Sequence, residues 1–161
     1  MFKIGEYVVY KRNVCKIKEI KEKHINNRDY YVLIPIDDET LTIDVPVDNK
    51  FIRNLISKDE IIKLINNMPN IPIIECTNKK IENDYRDLIN SEKHTDLIRI
   101  IKTTYIRNKE RLDNKKKIGD IDNNYFQKAE KYLYNEIGIV LGMNFDDTKK
   151  YIVDRVTELQ K

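Results

Sequence analysis

Polar turns divide the first 56 residues into short β-type runs, and this spacing constrains the fold more than any other feature. The runs lie at 7–10, 14–20, 29–36, 40–47 and 51–56. Five strands of this length are too short for a wide, flat sheet with its own core. The pattern therefore predicts a small closed or nearly closed β-barrel at the N-terminus.

The run over 40–47 is the clearest strand because its side chains alternate with period two. The predicted inward residues are Leu41, Ile43, Val45 and Val47, and the predicted outward residues are Thr42, Asp44 and Pro46. Proline cannot donate to a neighbouring strand, so Pro46 indicates an edge or a bulge. Two interpretations stay open: Pro46 blunts an exposed edge, or a partner uses that edge.

The rest of the chain predicts helices. Ser57 and Glu60 have the spacing of a capping box, and the proline-containing segment 69–74 follows the first helix. Further helices are predicted at 78–91, 95–113, 122–141 and 146–159, the last three capped by Thr95, Asp122 and Asp146. The fold class is α+β: a β-barrel over 1–56, a helix and linker over 57–74, and an all-α domain over 75–161.

Residues that could carry catalysis or bind a metal are sparse. No glycine-rich phosphate loop is present, and His24 and His94 stand alone in charged, loop-like contexts, which is typical of surface histidines. Cys15 and Cys76 are far apart and form no zinc-type cluster, and a structural thiol is the better interpretation of Cys15. We therefore expect no enzymatic activity and no cofactor. The lone cysteines and the lack of a long apolar run predict a soluble, cytoplasmic protein.

Positive charge is concentrated in one stripe. The formal net charge is only +3, but residues 99–117 carry eight basic side chains against two acidic ones. Lys115, Lys116 and Lys117 follow a predicted helix end with no acid between them. The stripe is either a solvated helix face with a charged loop, or a surface that neutralises backbone phosphates. The chain has no tryptophan to act as a wedge, although it has 10 tyrosines.

Five stretches of the N-terminal region, in chain order, are "FKIGEYVVY", "VCKIKEI", "YYVLIPI", "LTIDVPVDN" and "FIRNLIS". They resemble the N-terminal, Tudor-like barrel of the CarD family of bacterial transcription regulators, a module that the transcription-repair coupling factor shares. "LIRIIKTTYIRNKERL" and "NNYFQKAEKYLYNEIGIVLGM" resemble the helical domain of the CarD family. The resemblance covers nearly all of residues 2–158. It implies a non-catalytic regulator that changes the stability of the open promoter complex.

The resemblance also implies a polymerase-binding site. In this family the barrel docks on the β subunit of RNA polymerase through an exposed strand edge, here Ile43, Asp44, Val45 and Pro46. Lys23 falls where a basic polymerase-contacting residue is usual. Asp44 falls where some relatives carry arginine, so the charge at this position is reversed. Strand addition to a partner sheet then becomes the favoured use of the Pro46 edge.

For the helical domain, the resemblance implies contact with promoter DNA. Tyr85 and Arg86 match an aromatic–basic pair near the DNA, although relatives often place a tryptophan just before it. Together with the basic stripe, the predicted DNA-binding residues are Tyr85, Arg86, Arg107, Lys115, Lys116 and Lys117. We expect a monomer that binds promoter DNA weakly and without sequence preference. The alternative is a barrel-plus-helix adaptor that binds another protein and no DNA.

Overall fold

The computed structural model describes residues 1–75 and 79–161, so Cys76 and the first residue of the helix predicted over 78–91 lie outside the described residues. The chain divides into two compact units, Met1–Leu55 and Ile56–Lys161. The first is a β-sheet and the second is helical, which confirms the predicted α+β class. Of the helices that the structure describes, none combines the length and apolar content that crossing a membrane requires.

The first unit is a five-stranded antiparallel sheet. Its strands are β1 (Tyr7–Tyr10), β2 (Asn13–Ile25), β3 (Arg28–Pro35), β4 (Ile43–Pro46) and β5 (Ile52–Arg53). They lie in the order β4-β3-β2-β1-β5, and each neighbouring pair is antiparallel. β4 and β5 are therefore the two outer strands of the sheet.

A tight turn joins β1 to β2. Tyr10 pairs with Asn13, which leaves Lys11 and Arg12 as the two loop residues. Both have positive φ angles, 47° and 74°, the sign that a type I′ hairpin turn requires at both central positions. This turn matches the right-handed twist of the flanking strands without the glycine that such loops usually contain.

One apolar cluster of the first unit joins β1, β2, β3 and β4. Its buried members are Val8, Cys15, Ile17, Tyr31, Leu33 and Val45. Burial raises the pKa of the Cys15 thiol to about 11, which keeps it protonated and unreactive near neutral pH and agrees with the structural role predicted for it. Val45 of β4 faces the core as predicted, and Ile43 of β4 and Val47, just after the strand, pack partly against it. The inward position predicted for Leu41 is wrong, because this residue precedes the strand and is 47% exposed.

In the described residues of the second unit there are five α-helices and a short 3₁₀ turn. The helices are α1 (Lys58–Asn67), α2 (Ile81–Asn90), α3 (His94–Asp113), α4 (Asp120–Leu141) and α5 (Phe145–Leu159), with the 3₁₀ turn at Met68–Asn70. The capping box of Ser57 and Glu60 is present. Gly142 ends α4 in the left-handed conformation, with φ 70°, as suits a glycine at that position.

One apolar cluster holds the helices together. It includes Ile61, Leu64 and Ile65 of α1. The segment 57–74, predicted as a helix and linker, therefore packs inside this unit. Glu136 of α4 is buried and ties two other segments to it. One of its carboxylate oxygens accepts the N–H of Ile56 at 2.7 Å, and the other lies 2.9 Å from Nε2 of His94. His94 is therefore not the isolated surface histidine that its sequence context predicts.

The helix starts differ from those predicted. Lys93, Gly119 and Asn144 occupy the N-cap positions of α3, α4 and α5, in place of Thr95, Asp122 and Asp146. Asn144 caps α5 by accepting the N–H of Asp147 at 2.8 Å. Asp122 lies inside α4, where its carboxylate accepts hydrogen bonds from side chains of α2 and α3.

Candidate functional site

The outer edge of β4 is the first candidate site. The N–H of Val47 donates to the carbonyl of Asp29 at 3.1 Å, and β4 pairs with β3 through Leu33↔Ile43 and Tyr31↔Val45. Backbone groups alternate in direction along an antiparallel strand, so those of Ile43 and Val45 face β3. Those of Asp44 and Pro46 consequently face the outer edge. Pro46 occupies a position where its missing N–H costs the sheet no hydrogen bond.

This geometry separates the four residues predicted on β4. Val45 is 1% exposed and its backbone faces β3, so its side chain belongs to the core of the first unit. Ile43 is partly packed against the same core. Direct contact between Val45 and a partner stays a prediction. Asp44 and Pro46 are the positions that present backbone groups at the edge.

Asp44 carries a small charge cluster. Its Oδ2 lies 3.5 Å from Nζ of Lys21 and 3.1 Å from Nε2 of His24, both on β2. The His24 ring also packs edge-on against Tyr30, with centroids 5.5 Å apart. His24 is thus part of a strand and contacts a carboxylate, contrary to the isolated loop position predicted for it. The cluster holds the Asp44 carboxylate beside the strand edge and offsets its negative charge.

Lys23 lies near the end of the β2–β3 hairpin. Its φ angle is 47°, and its N–H donates to Oδ1 of Asp29 at 3.0 Å. The register of β2 against β3 shifts between Lys21 and Ile25, so the strand is irregular at this point. The lysine paired with Asp44 is Lys21, whereas Lys23 has an exposed side chain.

In the helical unit, the predicted DNA-binding residues separate into a buried group and an exposed group. Asp122 is 1% exposed and accepts hydrogen bonds from three side chains. These are Tyr85 Oη to Oδ1 at 2.6 Å, Arg107 Nε to Oδ2 at 2.9 Å and Arg111 Nη1 to Oδ2 at 2.5 Å. Burial acts to raise the pKa of the Asp122 carboxyl, but the bonds from Tyr85, Arg111 and Arg107 outweigh it and hold the pKa below its usual value.

Tyr85, which the sequence predicts at the DNA contact, lies inside the helical unit. It is 0% exposed, and burial, with the hydrogen bond to Asp122, raises the pKa of its hydroxyl. A ring in this position cannot reach a DNA groove without opening the helical core. Arg107 is also committed to the Asp122 carboxylate. Arg107 and Arg111 are four residues apart and therefore share one face of α3, which is the only local sign of the cluster in the sequence.

Arg86 and the three consecutive lysines are exposed. Arg86 contacts Asn83 and Glu82 on its own helix, at 3.2 Å and 3.8 Å, both weak surface contacts. Lys115, Lys116 and Lys117 follow α3, and the N–H of Lys116 donates to the carbonyl of Arg111 at 2.8 Å. These four cations are accessible to phosphates. Residues 1–75 and 79–161 contain no grouping of His, Cys, Asp and Glu that could hold a metal ion.

A comparison with known protein families finds a match that covers the first unit. Residues 2–57 match the family model described as the CarD-like/TRCF RID domain, an RNA polymerase-interacting domain. The match is consistent with a CarD-like protein and covers the five-stranded sheet with its candidate edge. No curated protein matches the chain.

Proposed function

We propose that this chain is a non-catalytic transcription regulator that binds the β subunit of RNA polymerase through the outer edge of β4. The match of residues 2–57 to a polymerase-interacting domain is the observation that carries the proposal. The helical unit then contacts promoter DNA near the bound polymerase and changes the stability of the open complex. The DNA contact is weak and independent of sequence.

The β4 edge suits strand addition. Backbone groups of Asp44 and Pro46 face outward, and a partner strand would pair with them as with any antiparallel or parallel neighbour. Main-chain hydrogen bonds would supply affinity, while the Asp44 carboxylate beside Lys21 and His24 would select a partner of complementary charge. Exposed Lys23 extends this charged surface along the hairpin.

The DNA contact rests on the exposed cations alone. Arg86 and Lys115–Lys117 neutralise phosphates without touching bases, which gives affinity without specificity. Tyr85 and Arg107 stabilise the helical core through Asp122. The unit therefore acts as a rigid support that places a few positive charges near the duplex.

One pair of variants tests the polymerase contact. Asp44→Pro removes the outward N–H and leaves the bonds to β3 in place, whereas Asp44→Ala removes the carboxylate and keeps that N–H. Binding of the full chain to purified β subunit is measured for both variants by calorimetry. The proposal expects Asp44→Pro to weaken binding about tenfold more than Asp44→Ala, since one hydrogen bond accounts for about 1 kcal/mol or more. Equal affinities for the two variants would place the contact elsewhere.

A protein–protein adaptor without DNA contact is the second candidate. The observation in its favour is that Tyr85 and Arg107, two of the residues expected at DNA, face a buried carboxylate instead. The adaptor binds polymerase as the regulator does, but its binding to promoter DNA is undetectable at low salt. An electrophoretic shift with a polymerase–promoter complex, over a range of salt concentrations, separates the two functions.

A further inference from the structure

An apolar groove runs along α3 in the helical unit. Its wider part has a volume of about 400 Å³ and lies between α3 and α5, with side chains of α4 at its base. A second part of about 290 Å³ continues towards the C-terminal end of α3. Tyr105 and Phe126 line both parts, so the two are continuous. We call the whole feature the α3 groove.

The walls of the α3 groove expose several apolar side chains. Tyr105 of α3 is 58% exposed and Val153 of α5 is 49% exposed, and Leu112 and Ile118 are exposed in the narrower part. At the base, Leu133 and Tyr134 are buried. Exposed apolar side chains grouped along a groove make it a candidate docking surface.

Shape and length favour a helix as that molecule. Along α3 the groove is lined by Ile98, Ile101, Tyr105, Asn108 and Leu112, a stripe with the three- and four-residue spacing of one helix face. From Ile98 to Leu112 this stripe extends about 21 Å at the rise of an α-helix. A helix of four turns fills such a slot by placing one apolar face in it.

Charge decides which kind of helix fits. The charged residues in the lining are Lys102, Lys109, Lys149 and Glu130. Glu130 is already paired with Lys149 at 3.0 Å. Lys102 donates to the carbonyls of Met68 and Ile71, and within the described residues neither Lys102 nor Lys109 has a carboxylate partner. The groove thus carries two positive charges that no carboxylate of the described residues pairs with, two helical turns apart.

We propose that the α3 groove binds an acidic amphipathic helix of a partner protein. Its apolar face covers Tyr105, Val153 and Leu112, and carboxylates about seven residues apart pair with Lys102 and Lys109. This interaction is independent of the polymerase contact, because it lies in the helical unit and uses none of the residues of the β4 edge. It gives the chain a second protein-binding surface.

Two synthetic peptides test the chemistry. Both are 15-residue amphipathic helices with the same leucine face; one carries glutamates beside that face and the other carries lysines at the same positions. Binding to the full chain is measured by fluorescence anisotropy, and methyl NMR shifts locate the site. The glutamate peptide is expected to bind about tenfold more tightly than the lysine peptide and to shift Ile101, Val153 and Val156. Equal affinities, or shifts elsewhere, would overturn the proposal.

Three variants sharpen the result. Val153→Gln removes an exposed apolar contact and is expected to weaken the glutamate peptide about tenfold, whereas Ile62→Gln, an equally exposed change on α1, is expected to leave binding unchanged. Lys109→Glu is expected to reverse the preference between the two peptides. If Val153→Gln instead dissolves a dimer in sedimentation, a second copy covers the groove. If it weakens binding to duplex DNA, a nucleic acid covers it. Either result would overturn the proposal.

Discussion

Tyr85 and Asp122 are 37 residues apart in sequence, yet the tyrosine hydroxyl donates to the buried carboxylate at 2.6 Å. This bond joins α2 to α4, and Arg107 and Arg111 add α3 to the same carboxylate. Three helices are therefore fixed around one negative charge. The arrangement determines which residues of the helical unit remain available for binding.

Removing the charge of Asp122 is expected to destabilise the protein strongly. Asp122→Asn keeps the shape of the side chain but leaves two partly buried guanidinium groups without their counter-charge, at a cost of about 3 kcal/mol. Asp120→Asn, an exposed change two residues away, is the control and should alter stability by less than about 0.5 kcal/mol. Urea unfolding measures both. Similar small effects from the two variants would mean that the cluster contributes little.

The same carboxylate predicts a pH dependence. In the folded protein the pKa of Asp122 is below its ordinary value of 3.8, so the ionised form stabilises the fold above that pH. This contribution is lost as the pH falls through the lower, folded-state pKa. The difference in unfolding free energy between the wild type and Asp122→Asn should therefore narrow below pH 3.8 and stay constant from pH 5 to 7. A difference that is unchanged down to pH 2 would contradict the shift.

Tyr85 is expected to act on stability and not on DNA. Tyr85→Phe removes one buried hydrogen bond and should cost about 1–3 kcal/mol, while Tyr85→Ala also leaves a cavity and should cost about 3–5 kcal/mol. Under conditions where Tyr85→Phe is folded, its affinity for promoter DNA should equal that of the wild type. If the Tyr85→Phe protein is folded and binds DNA more weakly than the wild type, the tyrosine hydroxyl takes part in the DNA contact.

The three consecutive lysines are expected to set the salt dependence of DNA binding. Each phosphate neutralised on duplex DNA contributes about −0.9 to the slope of log affinity against log salt. Replacing Lys115, Lys116 and Lys117 with alanine should make this slope less negative by about 2 or more. The control replaces Lys58, Lys63 and Lys161, which are also exposed, and should change the slope little. Equal changes in the two triple variants would indicate only a general effect of net charge.

The sequence predicts most of the fold because local patterns determine it. Period-two alternation places Val45 in the core, and the capping box marks the start of α1. The prediction for Leu41 is wrong because the alternating pattern continues into residues that precede β4 and do not belong to the sheet. Asp122 resembles a helix cap, as an acid before an apolar stripe, but α4 begins two residues earlier at Asp120.

The candidate sites are less predictable because they depend on distant residues. Tyr85 stands beside Arg86, and only the fold shows that its hydroxyl faces Asp122. Asp44 is equally misleading, since its partners Lys21 and His24 lie on β2, across the intervening strand β3. The exposure of Lys115–Lys117 is easier to predict, because a run of charged residues after a helix indicates it without knowledge of distant partners.

The proposed contact between polymerase and the outer edge of β4 can be measured amide by amide. The measurement is hydrogen exchange of individual amides with and without the β subunit of RNA polymerase. The N–H of Val47 already donates to β3, whereas the N–H of Asp44 faces outward. We predict that binding slows exchange at Asp44 on the order of tenfold or more and leaves Val47 nearly unchanged. Binding that protects another surface while Asp44 exchanges as in the free protein would place the polymerase contact elsewhere.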